Sequence, residues 1–381
     1  MEIGVKRILF YESRPEWGGA QKCELELLTA LESDSVETYF VTSTMGPMNS
    51  RVNAAGKQVT VIPVHPNVDQ IRKGQVKTGL FFLLVQVFYI VPHFWKVMAF
   101  IRKNQINLVY TSQFRSQLLI GWLAKLLGLK VVWHIHGEEQ LNNLLGKISA
   151  ASADKIIVVS QTLADRYKEL FPKQKSKFVV VKNGVDDMTF APKKELPVFT
   201  ISTVGTIIEG KRQDLAIYAV AELAKKGHHV QLNIIGEKPP WHPDEYKNSL
   251  LELAAQLNLT NSVNFLGWVE NPSDILHQSH VFILPSDTEG MPLSIIEAMA
   301  LGLPCISTNV GGVPELIEDG KTGFLIKPGH AEELADKLML LLEQRALCER
   351  MGQQARERYE SQFTKNMFVK GVAGVVDTVS P

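Results

Sequence analysis

Cysteine is scarce in this sequence. Three cysteines occur among 381 residues, Cys23, Cys305 and Cys348, and they lie far apart without the spacing of metal ligands. Neither a disulfide framework nor a zinc site is expected, and a reducing compartment suits such a chain. The first residues, MEIGVKRILFYES, lack the small-residue cleavage site of a secretory signal, which predicts a cytoplasmic protein.

A surplus of charge is also missing, since 40 Lys and Arg balance 40 Asp and Glu. A general nucleic-acid binder is therefore not expected, because neutralising phosphates requires excess basic residues. The distribution is uneven. Residues 1–190 contain 23 basic and 16 acidic residues, net +7, which leaves 17 minus 24, net −7, for the remainder. Residues 51–135 hold eleven Lys or Arg and one acid, Asp69.

Long hydrophobic runs are absent. The most apolar stretch, GLFFLLVQVFYIVPHFWKVMAFIRKN, is broken by Gln, Pro, His and Lys, whereas a spanning helix needs about twenty apolar residues. One interpretation is a buried pair of helices. The other is a surface that meets anionic lipid headgroups at the inner face of a membrane. The second depends on basic residues that flank the run: Arg72, Lys73, Lys77, Lys96, Arg102 and Lys103.

Short β-branched or aromatic runs alternate with helical-length segments along the whole chain, which predicts parallel sheets built from βα units. Examples are RILFYE and KVVWHIH in the first half, and FTISTVG and VFILP in the second. The pattern restarts after the polar passage DDMTFAPKKELP. We therefore predict two Rossmann-like, doubly wound α/β domains, residues 1–193 and 194–381, with ligands bound in the cleft between them. The last helix of the chain is a candidate for packing against the first domain.

The densest motif is VFILPSDTEGMPLSIIEAMALGLPCIST, residues 281–308, which reads as one βαβ unit. Pro292 is expected at the first helical position, where its missing N–H costs nothing. Gly302 is expected in the left-handed position after the helix. The predicted helix therefore covers about 292–301.

Two glutamates flank the start of this helix. Glu289 precedes it and Glu297 lies in its second turn, with the free backbone N–H groups of Leu293 and Ser294 between them, and such a helix start attracts phosphate. Eight residues at about 1.5 Å each suggest a separation of roughly 12 Å. Glycoside hydrolases need their two carboxylates about 5 to 10 Å apart. The spacing therefore favours a nucleotide-sugar site, with two ordinary surface glutamates as the alternative.

The stretch EGMPLSIIEAMALGLPCIST, followed by NVGGVPELIEDGKTGFLI, resembles the signature of glycosyltransferase family 4, whose members are retaining transferases of the GT-B fold. The resemblance implies that Glu297 holds the ribose hydroxyls of a donor and that Glu289 contacts the donor sugar. Gly290 and Met291 belong to the same donor-binding loop. The family often has glycine where this chain has proline after Met291, so phosphate contacts are expected from Leu293 and Ser294.

A second donor-binding segment is TVGTIIEGKRQDLAIYAVAEL, in which Gly205 and Thr206 follow a strand and Lys211 begins a helix running to about Lys226. A lysine there can reach a diphosphate as a point charge, although a solvated helix lysine is the alternative. Resembled family members usually carry arginine where Thr206 stands. Either Thr206 gives a weaker hydrogen bond, or Arg212 supplies the missing charge.

Two positions in the first half match the resembled family. Gly18 and Gly19, in SRPEWGGAQKCELELL, occupy the turn between the first strand and helix, where a glycine backbone can approach a donor or acceptor closely. In KVVWHIHGEEQ, His136 ends a strand and resembles the family histidine that touches the donor sugar. His136 is the predicted ligand residue rather than His134, which points to the same face.

Two shorter signals have structural or base-binding interpretations. The dipeptide Asn183-Gly184 predicts a turn just before the linker. The segment FLGWVE, with Gly267 and Trp268, resembles the family loop that presents backbone groups to the nucleotide base.

The predicted function is transfer of a hexose-type sugar, with retention, from a UDP- or GDP-linked donor to a glycan or lipid-linked acceptor in cell-surface polysaccharide or glycolipid synthesis. Glu289, His136 and Lys211 are the predicted catalytic residues. Neither a metal nor a cofactor is expected, because the resembled family needs no metal. A sugar-nucleotide epimerase and a catalytically silent nucleotide-binding protein remain as alternatives.

Overall fold

The computed structural model describes residues 5–69, 80–188 and 197–379. The predicted domain boundary near residue 193 lies outside these residues, as do Arg72, Lys73 and Lys77 of the basic group. The chain divides into two compact units, Met1–Val181 with Val369–Pro381, and Lys182–Phe368.

The first unit is built on a parallel sheet of seven strands in the order β3-β2-β1-β4-β5-β6-β7. Consecutive residues of its central strand, such as Ile8, Leu9 and Phe10, are all fully buried, as expected when helices cover both faces of a sheet. The strand order reverses between β1 and β4, and ligands of such sheets bind at this reversal. The strands are β1 Lys6–Glu12, β2 Val36–Thr42, β3 Val59–Val61, β4 Leu108–Thr111, β5 Lys130–Ile135, β6 Lys155–Val158 and β7 Phe178–Val180.

Two helices of the first unit begin at residues whose side chains cap the helix start. The Asn143 side chain accepts a hydrogen bond from the N–H of Gly146, and Ser160 accepts one from Leu163, so both cap helix starts. The helices are α1 Gly19–Ala30, α2 Pro47–Ala54, α3 Pro66–Asp69, α4 Leu80–Lys103, α5 Phe114–Ser116, α6 Trp122–Leu126, α7 Leu144–Ser152 and α8 Gln161–Leu170, with a π-helical stretch Gln117–Gly121 and a 3₁₀ stretch Pro172–Lys177.

The apolar stretch forms one helix, α4, and the predicted pair of helices is wrong. Pro92 lies inside it, although an interior proline costs about 3 kcal/mol. A buried stripe of His93, Val97 and Ile101 continues on one side past the proline, so packing outweighs that cost. Within the part of the chain that the structure describes, no helix is both long and apolar enough to cross a membrane.

The second unit is built on six parallel strands in the order β10-β9-β8-β11-β12-β13, and here the order reverses between β8 and β11. Its core packs these strands against α9 and α14, which cover one face. The predicted α/β class, with two doubly wound parallel sheets, is confirmed. The strands are β8 Phe199–Val204, β9 Val230–Ile235, β10 Val263–Gly267, β11 Val281–Leu284, β12 Cys305–Thr308 and β13 Gly323–Ile326.

The helices of the second unit differ slightly from the predicted bounds. The helix predicted over 292–301 covers Leu293–Ala300, because Pro292 is its N-cap in an extended conformation, and Gly302 has the predicted left-handed φ of 66°. The helix predicted from Lys211 begins at Gln213, because Lys211 ends a 3₁₀ turn, Glu209–Lys211. The helices are α9 Gln213–Lys225, α10 Glu245–Gln256, α11 Ser273–His277, α12 Leu293–Ala300, α13 Val313–Leu316, α14 Ala331–Glu343 and α15 Arg345–Gln362. The last helix, α16 Lys365–Val379, begins in the second unit, and its residues from Val369 onward belong to the first.

Candidate active site

Two loops of the second unit meet where its strand order reverses. One follows β8 and the other follows β11, and the carboxyl ends of neighbouring parallel strands share one edge of the sheet. Lys211, from the first loop, places its Nζ 2.6 Å from Oε1 of Glu289, from the second. The Glu289 side chain is only 8% exposed, so little water weakens this charge-assisted hydrogen bond. The structure therefore brings two of the three predicted catalytic residues together.

The backbone at Glu289 is fixed by a segment that sequence reasoning did not single out. The N–H of Gly312 donates to the carbonyl of Gly290 over 2.7 Å. Gly311 has φ of 51°, and a Cβ there would lie 1.7 Å from the carbonyl oxygen of Glu289. Only glycine fits this approach. The paired glycines of NVGGVPE were the available signal.

Asn183 supports the same loop, and the predicted Asn183-Gly184 turn is wrong. The buried side chain of Asn183 donates from Nδ2 to the carbonyl of Met291 over 2.9 Å. Gly184 lies in a non-turn stretch against the backbone of Thr364, where a Cβ would stand 2.3 Å from its carbonyl oxygen. These long-range contacts override the local turn preference of the dipeptide.

The start of α12 is open. No described side chain caps it, and its first two residues, Leu293 and Ser294, are partly exposed. The first N–H groups of a helix lack partners within the helix and carry partial positive charge. Glu297 lies one turn further along, with 7% of its surface exposed. This arrangement suits an anion at the helix start.

Arg212 connects the two loops instead of standing free. Its guanidinium makes two hydrogen bonds of 3.0 Å to Asp214 and a third of 3.3 Å to Asp287 of the other loop. The hydrogen bond to Asp214 is the main reason that the pKa of Arg212 is raised. The backbone of Arg212 is left-handed, with φ of 52°, a conformation that costs a non-glycine residue about 1 kcal/mol or more.

The other predicted residues of the β8 loop lie beside this network. Thr206 is exposed, and its carbonyl accepts a hydrogen bond of 3.0 Å from Nε2 of Gln213. The N–H of Gly205 donates to the carbonyl of Ile235 at the end of β9, and a Cβ on Gly205 would touch the Lys211 side chain at 3.9 Å.

The predicted base-binding loop follows β10, two strands from β8. The carbonyl of Gly267 accepts a hydrogen bond of 2.8 Å from the N–H of Gly236, and Gly267 itself has φ of 66°. Trp268 is 55% exposed. The loop is therefore tied to the neighbouring β9 loop through backbone contacts.

His136 follows β5 in the first unit. Its ring centroid is 3.9 Å from that of His134, so the two side chains lie on one face as predicted. Burial lowers the pKa of His136 to about 4, so the imidazole is neutral at pH 7. Neither ring nitrogen of His136 has a hydrogen-bond partner among the described residues, although both are buried. One of these nitrogens could donate a hydrogen bond to a ligand, and the other could accept one from it.

The backbone after His136 is anchored by Tyr167, which sequence reasoning missed. The Tyr167 hydroxyl donates to the carbonyl of Gly137 over 3.1 Å and accepts from the N–H of Glu139 over 2.7 Å. No local pattern marks a tyrosine 30 residues away as the anchor.

Gly18 and Gly19 are exposed at the start of α1, which no described side chain caps. Gly18 has φ of −168°, an extended conformation open to any residue. The glycines are thus not required by the turn itself. Their effect is to leave the helix start uncovered.

A buried carboxyl pair, Glu12 and Glu24, lies beneath this helix start and was also missed. The Ser112 hydroxyl contacts a carboxylate oxygen of each glutamate, and both are fully buried. Burial raises the pKa of Glu12 to about 7 and that of Glu24 well above its usual value. At neutral pH the pair therefore retains at least one proton.

The predicted residues thus fall into two groups. Gly18, Gly19 and His136 belong to the first unit, and the remaining predicted residues belong to the second, around β8, β11 and α12. In the described ranges, no three His, Cys, Asp or Glu side chains lie close enough to hold a metal ion.

Comparison with known protein families shows which family the chain belongs to. The family described as "Glycosyltransferase Family 4" matches residues 17–188, and that described as "Glycosyl transferases group 1" matches residues 186–358. The chain belongs to glycosyltransferase family 4. The Lys211–Glu289 pair and α12 lie within the second match, and Gly18, Gly19 and His136 lie within the first.

Relatives of this family-4 glycosyltransferase synthesise glycans and glycosylated small molecules. N-acetyl-α-D-glucosaminyl L-malate synthase of Bacillus anthracis is 28% identical over 295 residues, 72% of this chain and 75% of that protein. UDP-Gal:α-D-GlcNAc-diphosphoundecaprenol α-1,3-galactosyltransferase of Escherichia coli is 25% identical over 370 residues, 90% of this chain and 89% of that protein. The predicted glycosyltransferase class is confirmed.

Solved structures give the fold of this family-4 member. Anabaena HepE in complex with UDP superposes with a TM-score of 0.82 at 20% identity, covering 98% of this chain and 100% of that one. The HepE complex with UDP-glucose gives a TM-score of 0.82 at 19% identity, covering 98% and 99%. The predicted GT-B class, with two Rossmann-like domains, is confirmed.

Proposed function

We propose that the protein transfers a hexose-type sugar from a UDP- or GDP-linked donor to a glycan or lipid-linked acceptor, with retention of anomeric configuration. The observation that carries the proposal is the Lys211–Glu289 pair, which lies in the loops flanking the reversal point of a Rossmann-like sheet. The second support is the open start of α12 in the same loop segment.

The donor diphosphate is proposed to bind at the start of α12. Backbone N–H groups of Leu293 and Ser294 would donate to it, and Gly290 and Met291 would line the approach. Glu297, one turn along, would accept hydrogen bonds from the ribose hydroxyls. HepE, whose fold this chain shares, was solved with UDP and with UDP-glucose.

The chemical step breaks the bond between the anomeric carbon and the diphosphate oxygen, and the electron pair leaves with the diphosphate. Lys211 neutralises the charge that develops there, and such preorganised charge is the largest contribution in many enzymes. The acceptor hydroxyl forms the new bond on the same face of the sugar, and its proton passes to the departing phosphate. Glu289 is held by Lys211, which suits a sugar-contacting role better than that of a nucleophile.

His136 is proposed to contact a hydroxyl of the donor sugar. Its neutral, buried imidazole has two nitrogens that the described residues leave unpaired. Gly18 and Gly19 would let the backbone at the start of α1 approach the same substrates. Because Lys211 supplies the cation, we propose that no metal or cofactor takes part.

The acceptor class is proposed from relatives. The E. coli galactosyltransferase acts, by its name, on a sugar carried by diphosphoundecaprenol, and a Staphylococcus aureus relative acts in capsular polysaccharide synthesis. We therefore propose a cytoplasmic enzyme that works at the inner face of the membrane, where it would reach a lipid-linked acceptor.

A thermal-shift screen tests the donor site. We expect one of UDP, GDP or ADP to raise the melting temperature by several degrees at about 100 times Kd, where binding stabilises the fold by about 2.7 kcal/mol. Glu297→Gln should lose most of that shift, because an amide accepts the ribose hydroxyls less strongly. Glu343→Gln, an exposed change at the end of α14, is the matched control and should keep the shift. The proposal fails if no nucleotide shifts the wild-type protein.

Arg212 is proposed to position the two loops, and Thr206 to give a weak hydrogen bond to the phosphate. Asp214 and Asp287 already balance the Arg212 charge. Arg212→Gly, which removes the left-handed strain, should leave the Kd for nucleotide within about threefold and slow donor turnover about tenfold. Isothermal titration calorimetry measures the Kd for nucleotide, and a nucleotide-release assay measures donor turnover. A tenfold weaker Kd would instead make Arg212 a phosphate ligand.

A further inference from the structure

We infer that three helices of the first unit form a face that docks on an anionic lipid bilayer. Large hydrophobic side chains that are exposed are concentrated there: eight of the sixteen among the described residues lie on α4, α6 and α7. We call these eight the docking face: Phe88, Val91, Trp95, Trp122, Leu126, Leu144, Leu145 and Ile148.

The docking face begins on α4. Phe88, Val91 and Trp95 follow a helical spacing of three and four residues, so they form one stripe. Phe88 is 75% exposed and Trp95 63%. The buried stripe that holds α4 against the unit, His93 to Ile101, lies on the other side of the helix. A surface helix normally carries polar residues on its outer face, so this second apolar stripe indicates a binding function.

The face continues across neighbouring helices. The ring of Trp122 on α6 packs edge-on against Phe94 of α4, with centroids 5.3 Å apart. Leu126, one turn after Trp122, is 74% exposed. Helix α6 contacts α7, where Leu144 is 72% exposed. The exposed apolar side chains therefore belong to adjoining helices and are not scattered.

The charges on these helices identify the occupant. Helices α4, α6 and α7 contain basic residues but no acidic ones. Exposed tryptophan and aliphatic side chains together with lysine and arginine are the composition of surfaces that enter the headgroup region of anionic membranes. The basic residues are Lys96, Arg102, Lys103, Lys147 and Lys125, of which Lys125 is paired with Asp154, just after α7.

A second copy of the chain fits this face less well. A two-fold dimer places the same surface of each subunit in contact, so the basic residues of one face would meet those of the other. Like charges brought together at an interface oppose association. An anionic bilayer instead attracts basic residues that lie near its surface.

Docking deepens the proposed function, because an enzyme held at the bilayer can reach a lipid-linked acceptor. It rests on that proposal only for the acceptor class. Vesicle binding is measured without donor or acceptor, so its failure would leave the transferase proposal intact. Failure of the nucleotide screen would likewise leave the docking proposal intact.

Co-sedimentation with vesicles tests the inference. We expect the purified full chain to bind vesicles of phosphatidylcholine with about 30 mol % phosphatidylglycerol at about 0.15 M salt, and to bind pure phosphatidylcholine at least tenfold more weakly. The double change Phe88→Ser with Trp95→Ser should reduce binding at least tenfold. Its melting temperature should stay close to that of the wild type, because both side chains are mostly exposed.

The matched control is Trp241→Ser, which removes an exposed tryptophan, 49% accessible to solvent, from the second unit. It should bind vesicles as the wild type does. A charge reversal, Arg102→Glu with Lys103→Glu, should weaken binding to anionic vesicles and remove the lipid preference. The inference is overturned if the Phe88 and Trp95 variant binds normally, or if the face drives a concentration-dependent dimer while vesicles remain unbound.

Discussion

Replacing Lys211 with alanine is expected to slow nucleotide release from the donor by about 10²- to 10³-fold, the usual effect of removing one preorganised charge from a transition state. The lysine lies at the one pair of loops where the sheet of the second unit reverses its order, 2.6 Å from Glu289. The cation balances Glu289 in the free enzyme. As the donor bond breaks, the same cation stabilises the diphosphate.

The variant needs controls, because it also leaves Glu289, 8% exposed, without its cation. Lys211→Arg keeps the charge and should retain much of the activity. Lys225→Ala, at the far end of α9 and paired with Glu222, removes a surface lysine and should have no effect. Nucleotide release is measured with the donor identified by thermal shift. An alanine variant that folds normally and stays within threefold of the wild-type rate would reduce Lys211 to a structural partner of Glu289.

The fold was predictable because its signals are local. Buried parallel strands read as short apolar runs, and the start and end of α12 are marked by Pro292 and Gly302. The two loops of the candidate site were therefore placed correctly at strand ends. That Lys211 and Glu289 would meet follows from the strand order, in which β8 and β11 are neighbours.

What could not be predicted depends on residues distant in sequence. Asn183 reaches Met291 across 108 positions, and no pattern within the Asn183-Gly184 dipeptide announces that contact. Arg212 has a left-handed backbone, and its side chain is held by Asp214 and by Asp287, which is 75 positions away. Pro92 suggested a break in the apolar stretch, whereas packing of the residues around it keeps α4 continuous.

The Glu12–Glu24 pair could not be predicted for the same reason, and it has a large expected effect on stability. Burial raises both pKa values, that of Glu12 from 4.5 to about 7. The folded protein therefore binds more protons than the unfolded chain above about pH 4.5. The stability from this pair is present in full below that pH and is lost as pH rises through the folded pKa values. For the two carboxyls together the loss is on the order of a few kcal/mol.

Glu24→Gln isolates this contribution. The amide can donate to Glu12 as the protonated carboxyl does, but it cannot ionise. The variant should therefore gain stability relative to the wild type between pH 5 and pH 8. Buried histidines such as His134 and His136 act in the opposite direction below about pH 6.5, because burial lowers their pKa. The comparison between variant and wild type at each pH cancels them.

Amide hydrogen exchange provides the measurement, because it reports the two units separately. Protection of β1 and α1 amides in the wild type should fall from pH 5 to pH 8, after correction for intrinsic exchange, by more than in Glu24→Gln. Amides of β8, in the second unit, serve as the internal reference. Glu26→Gln, a partly buried change on the same helix, should behave as the wild type does. Equal pH dependence in Glu24→Gln and wild type would show that the pair is not a proton-binding element of the fold.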